Sequence, residues 1–309
     1  DPAAVESAAK YAGSHHGRSL LALQHGQTLL EEYPGQGEAN AAWRIYSGTK
    51  AFWNLAALAA SDDGLLDLDE HVTDTITAWK KDPRKARVTI RQLLDFSAGL
   101  APGFGLQQND YGNRDRDAVR LPLVADPGQA FIYGPSSLQV FHQVLKEKLG
   151  AKTPTEYLER RVLRRLHLGP QRYLEDRAGN PLLAAGFTLG AREWAKLGEL
   201  VLARGRPVVR PETFAQSRRG SPANRAFSLG WWNNRAAPGG RELDVESMLK
   251  PTRPAPNGSG AGLRRAACHD PRCRPGPAPR RVHATAPHHR SSSHDVRARA
   301  ASQTPDRSL

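Results

Sequence analysis

The order of patterns along the sequence predicts an α+β or α/β fold. Three observations predict it. An early stretch has hairpin patterning, five helical patterns follow between residues 47 and 205, and a strand pattern returns late in the chain. The sheet would then be assembled from both ends of the sequence.

The elements follow in order. SLLALQHGQTLLEEY (Ser19–Tyr33) reads as two strands around His25-Gly26, where glycine supplies the backbone freedom of a tight turn. A Gly/Asn loop leads to a helix beginning near Ser47. Its Phe52, Leu55, Ala56 and Ala59 fall at i, i+3, i+4 and i+7, one apolar face that Leu58 broadens, and Asp62-Asp63-Gly64 ends it. Val88–Leu100 reads as a second helix with Thr89 as N-cap and Gly99 near its end. Leu138–Gly150 is a third, with Leu138, Phe141, Val144 and Leu145 on one face. Pro154–Gly169 and Gly190–Gly205 are two more, and RRVLRR (Arg160–Arg165) within the former is expected to be a solvated face. FSLGWW (Phe227–Trp232) reads as a strand, whose adjacent tryptophans would point to opposite faces.

Composition divides the chain near Met248–Pro256. Residues 251–309 hold 11 Arg, 9 Pro and 5 His against 3 acidic residues, with no Phe, Trp, Tyr, Ile or Lys. They supply +8 of the formal +13 charge, so the first 250 residues are only mildly basic. We therefore read 1–250 as a folded domain and 251–309 as an Arg/Pro/His-rich tail, disordered or translated out of frame. A tail without aromatic residues offers no base-stacking platform, so nucleic acid is not the expected partner. A basic polyanion binder is carried as the weakest alternative. The only cysteines, Cys268 and Cys273, lie in this tail without the four-ligand spacing of a structural zinc site, and no metal is expected. No run of 18 apolar residues is present, so no membrane span is expected either. Oligomeric state is not legible.

The chemistry centres on YSGTK (Tyr46–Lys50). An alcohol is a poor nucleophile at neutral pH, and an unprotonated lysine can serve as its base. Residues three apart share a helix face, and a helix start favours developing negative charge. On four residues alone, a capping serine and a solvent-facing lysine is the plainer account. The context reverses that. GLLDLDEHV (Gly64–Val72), TIRQLLDFSAGL (Thr89–Leu100) and PGQAFIY (Pro127–Tyr133) follow in order.

With that company, residues 15–235 resemble the serine β-lactamase-like family. It includes class C β-lactamases, low-molecular-mass penicillin-binding proteins, and related esterases and amide hydrolases. The resemblance implies a β-lactamase/transpeptidase-like α+β fold of the α/β sandwich type, an antiparallel sheet flanked by helices plus an all-helical region, and an acyl-enzyme mechanism without metal or organic cofactor. It assigns Ser47 as the acylated nucleophile, Lys50 as the lysine that helps deprotonate it, and Tyr133 as a proton relay. It also implies a secreted or periplasmic protein; a removed leader would explain a start at Asp1.

Two departures are visible. Where the family carries asparagine two residues after the tyrosine, this chain has Pro135, so either the substrate contacts differ or Ser136 or Ser137 substitutes in substrate binding. The third family element, Lys/His-Thr/Ser-Gly, has no good copy. NGSG (Asn257–Gly260) keeps Ser259 but has Gly258 where lysine or histidine belongs, and no apolar strand follows, so the sheet's late strands are missing if the tail is genuine. The expected function is a serine hydrolase acting on a small-molecule ester, amide or β-lactam carbonyl. The alternative is a catalytically inactive relative that keeps the fold as a binding module.

Overall fold

Helices dominate the computed structural model, and short antiparallel ribbons bring distant segments together. The structure describes residues 2–233. The boundary near residue 250, Ser259 and the two cysteines lie outside them.

An alanine-rich helix, α1 (Pro2–Ser14), opens the chain and buries only Ala9. It has no counterpart in the sequence reading, because its apolar residues form no broad stripe. The predicted hairpin follows as β1 (Leu20–Gln24) and β2 (Gln27–Glu32), paired antiparallel with a register shift between Ala22 and Leu23. His25 (φ 52°) and Gly26 (φ 77°) are both left-handed, which matches the right-handed twist of the flanking strands. Next, β3 (Trp43–Arg44) leads into a single 3-10 turn, Tyr46–Gly48.

Helix α2 (Thr49–Asp62) is the central element. The pattern gave it one apolar face, but every residue from Thr49 to Ala60 is buried. The physical reason is size. Ala51, Ala56, Ala57, Ala59 and Ala60 let neighbouring elements approach on all sides, so positions reading as a weak face are core as well.

The helix expected over Val88–Leu100 is only α3 (Ile90–Leu94). Its start is as read: Thr89 Oγ1 accepts from Gln92 N while Gln92 Oε1 accepts from Thr89 N, a reciprocal cap. It stops early because Phe96 turns left-handed (φ 57°) and buries its ring. Helix α4 (Arg114–Arg120) is capped by Asn113. Helix α5 (Ser136–Leu149) carries the predicted face, with Leu138, Phe141, Val144 and Leu145 fully buried. It packs on α3 and α4.

The helix expected over 154–169 is broken into α6 (Pro154–Leu158), a π turn over Glu159–Leu163 and a 3-10 turn over Arg164–Leu166. Arg160, Arg164 and Arg165 are exposed as expected, while Arg161 is drawn onto Asp63 at the end of α2 (2.7 Å). Strand β4 (Thr188–Leu189), helix α7 (Ala191–Leu202) and helix α8 (Pro211–Gln216) follow. FSLGWW is a tight hairpin rather than one strand: β5 (Phe227–Ser228) and β6 (Trp231–Trp232) flank a left-handed Leu229-Gly230 turn. Trp231 is buried against Phe214 and Trp232 packs edge-on to Phe227 and Phe131, so both tryptophans serve the core.

The described residues thus carry the sheet as three two-stranded antiparallel ribbons, β1–β2, β3–β4 and β5–β6. No described helix is long and apolar enough to cross a membrane.

One buried polar cluster fixes the loops around the helices. The Arg114 guanidinium, 2% exposed, donates to four carbonyls: Leu106, Gln108, Leu174 and Asn180, at 2.9–3.2 Å. Next to it Asp115 accepts from Gln139 (2.8 Å) and meets His142 Nδ1 (2.7 Å). Together they hold the segment 174–181 against α4 and α5, and that segment runs on into Ala184.

Candidate active site

The segment 184–189 lies antiparallel to 43–50 and acts as a zipper. Thr188 and Leu189 pair with Arg44 and Trp43. Ile45 N donates to Phe187 O (3.0 Å), and Phe187 N donates to Thr49 Oγ1 (3.2 Å). The last tooth is Lys50, whose Nζ donates to Ala184 O at 2.9 Å.

This zipper sets the opening turn of α2. Tyr46 is left-handed (φ 45°), and the following turn leaves Ser47 half-buried. Gly48 lies under the Trp194 ring, where a Cβ would come within 2.8 Å of Cη2. Ser47 and Lys50 then meet as the three-residue spacing predicts, with Lys50 Nζ 2.7 Å from Ser47 Oγ. Lys50 is 5% exposed, and among the described residues no carboxylate pairs with it. Its contacts are the serine hydroxyl, the Ala184 carbonyl and an aromatic face.

That face belongs to Tyr133, whose ring centroid lies 4.8 Å from Lys50 Nζ. Tyr133 packs against Phe96, Phe131 and Phe227 (centroids 4.9–6.5 Å). The backbone on either side is pinned: Ile132 N donates to Phe96 O (2.7 Å), and a Cβ on Gly134 would meet Pro102 O at 2.3 Å. Pro135 is buried as the N-cap of α5. Ser136 and Ser137 are buried too, and Ser136 Oγ is spent on the Ala101 carbonyl (2.7 Å). The structure therefore brings Ser47, Lys50 and Tyr133 together, gives the Ser136 hydroxyl a backbone partner, and leaves Ser259 outside the described residues.

A further concavity lies away from these residues. A cleft of about 710 Å³ lined by Asp62, Asp63, Arg161, Arg206 and Arg210 opens at the far end of α2. Fifteen residues of helical rise place it roughly 20 Å from Ser47.

A model of the family described as Beta-lactamase matches residues 3–240. The chain belongs to the β-lactamase family. This β-lactamase-family chain is similar in fold to a D-stereospecific amidohydrolase from Streptomyces sp. (TM-score 0.56, 17% identity, covering 74% of this chain and 82% of that one). It is likewise similar to the penicillin binding protein from Bacillus halodurans (TM-score 0.54, 17% identity, covering 69% and 79%). Among curated proteins it is similar to Protein flp of Staphylococcus aureus strain MRSA252 (23% identity over 189 residues). Lovastatin esterase of Penicillium rubens is another such relative (26% over 163 residues). The alignments cover 56% and 44% of this chain, and the chain spans only 38% and 40% of those relatives' lengths. An amidohydrolase and a penicillin binding protein thus share its fold, and an esterase shares part of its sequence.

Sequence reasoning missed three residues at the periphery of the site. Ala184 bears no chemical signature, since only its carbonyl is used. Asn54 was hidden inside an apolar run; it is fully buried, and its Nδ2 donates to Lys50 O at 2.8 Å. Asp95 lay inside a stretch read as helix; it is buried, with Oδ1 accepting from Leu229 N at 2.7 Å.

Burial pushes the Asp95 carboxyl up to about 6 from the usual 3.8, against the opposing pull of the Leu229 N–H and Arg91. The raised value means the folded state binds this proton more tightly than the unfolded chain. The associated stability is present in full below about pH 4 and is lost as pH rises through about 6, roughly 3 kcal/mol in total. Urea unfolding should therefore show Asp95→Asn gaining on the parent between pH 4 and pH 8. A constant difference across that range would mean that Asp95 does not titrate there.

Proposed function

We propose that this chain is a serine hydrolase working through an acyl-enzyme on an ester, amide or β-lactam carbonyl. The carrying observation is the 2.7 Å contact between Lys50 Nζ and Ser47 Oγ on a lysine without an acidic partner among the described residues. Ser47 Oγ attacks the carbonyl carbon as the Lys50 amine takes its proton. The oxyanion that forms is held by the Ser47 backbone N–H at the helix start. Tyr133, with its ring against the Lys50 amine, passes a proton to the leaving oxygen or nitrogen as the carbonyl re-forms. Water then attacks the acyl-enzyme, surrenders its proton through the same pair, and releases the acid and Ser47. Pro135 offers no side-chain hydrogen bond to substrate, which favours acyl groups gripped by shape and apolar contact over those read through a polar amide.

Pro135 also supports a second reading, a silent relative that binds without turnover. One experiment separates them: hydrolysis of p-nitrophenyl butyrate by the chain and by Ser47→Ala, with intact-mass detection of a butyryl adduct. Turnover and an adduct on the Ser47 peptide, both lost in Ser47→Ala, are expected. Equal rates for the two proteins would refute the acyl-enzyme.

A further inference from the structure

We propose that Asp95 is a positioning residue for Lys50, acting through the Leu229-Gly230 turn and Asn54; the proposal rests on the roles given above to Ser47 and Lys50. Two routes lead from Asp95 to the lysine.

The first runs through the hairpin. Asp95 Oδ1 takes the N–H of Leu229, a residue held at φ 44°, and Gly230 follows at φ 85°. That turn presses directly on α2: a Cβ on Gly230 would lie 2.6 Å from both Cγ and Nδ2 of Asn54. No side chain fits between them, so the hairpin backbone sets where the Asn54 amide lies. Asn54 in turn sits one helical turn beyond Lys50 and donates to its carbonyl, while its own Oδ1 has no partner among the described residues. Its amide is therefore held by steric contact and by that one bond, and any movement of the turn passes to Lys50.

The second route runs through the ring stack. Phe96, the next residue after Asp95, packs 4.9 Å from the Tyr133 ring and 5.3 Å from Phe227 at the start of the same hairpin. Tyr133 bears on Lys50 Nζ. One carboxylate thus ties the hairpin to α3 where both routes begin. The charged and titratable groups facing it are Arg91 on its own helix and Asp69 from the preceding loop; the hairpin contributes the Ser228 hydroxyl and the Leu229 N–H.

The test uses the full chain and three variants, Asp95→Ala, Asp95→Asn and Gly230→Ala. Steady-state kinetics with p-nitrophenyl butyrate are paired with the ¹³Cε resonance of Lys50, assigned by its loss in Lys50→Arg. Asp95→Ala should lower kcat at least about tenfold with KM little changed, the signature of a displaced catalytic group, and should move the Lys50 resonance. Asp95→Asn, which keeps an acceptor for Leu229 N–H, should restore most of the rate and the parent resonance. Gly230→Ala should reproduce the loss from the other side of the contact, so an Asp95→Ala that fails to fold still leaves the proposal exposed. Variants that fold and melt lower but keep parental kcat and the parental Lys50 resonance would overturn it. A parent chain that neither turns over ester nor acylates would refute the hydrolase reading alone, and the Lys50 resonance would still decide this one.

Discussion

Lys50→Met should lower kcat for ester hydrolysis by at least about 10³-fold with KM little altered, because it removes a group that acts in the transition state rather than in binding. Methionine keeps the length and apolar body of the side chain and deletes only the amine. What disappears is the 2.7 Å contact to Ser47 Oγ and the 2.9 Å bond to Ala184 O. The hydroxyl then has no base within reach, and acylation should vanish from intact-mass spectra on the timescale of minutes. Lys50→Arg should be equally slow, since a guanidinium holds its proton throughout and cannot accept one from serine. The pair of variants separates base chemistry from positive charge. Should Lys50→Arg turn over within tenfold of the parent, the lysine would be an electrostatic support and the proton would leave Ser47 by another path.

The largest stability loss is expected at Arg114→Met, about 3–5 kcal/mol in urea unfolding and roughly 10 °C in melting temperature. The guanidinium is almost wholly buried and donates to four backbone carbonyls on two loops, tying the 104–108 loop to the 174–182 turn. Methionine fills part of the volume but donates nothing, so the Leu106 and Gln108 carbonyls lose this donor, while Leu174 O and Asn180 O keep only the N–H groups of Leu182 and Asp176. Arg116→Met, two residues on and paired only with its neighbour Asp117 at the surface, should leave the midpoint nearly unchanged. Similar midpoints for the two variants would mean that the 104–108 and 174–181 loops hold together without Arg114.

Much of this architecture could be read from sequence wherever a short-range rule governs it. His25-Gly26 fixed the hairpin turn, Thr89 and Gln92 form a reciprocal cap, and three-residue spacing placed Ser47 beside Lys50. Reading failed where distant partners decide. The α3 helix ends at Leu94 because the Phe96 ring enters a cluster with Phe131, Tyr133 and Phe227. The periodicity of VTIRQLLDF contains none of that. Helix α2 is buried on every side because of what surrounds it, and its own pattern showed only the strongest face. The same holds at the site: the Ser47–Lys50 contact was legible from local spacing and Tyr133 only through the family resemblance, whereas Ala184, Asn54 and Asp95 contribute a carbonyl, an amide and a carboxylate whose use depends on contacts across the fold.

The zipper between 43–50 and 184–189 has a consequence for synthesis. The Lys50 amine bonds a carbonyl 134 positions downstream. A nascent chain that has emerged through Ser47, Lys50 and even Tyr133 holds all three candidate side chains, yet not the strand that seats the lysine. Closing a loop of that span is slow compared with forming α2 itself. The nascent chain therefore carries Ser47 for many seconds before Lys50 is seated beside it, and on the proposed mechanism any acylation waits until the segment after Asn180 has left the exit tunnel and docked.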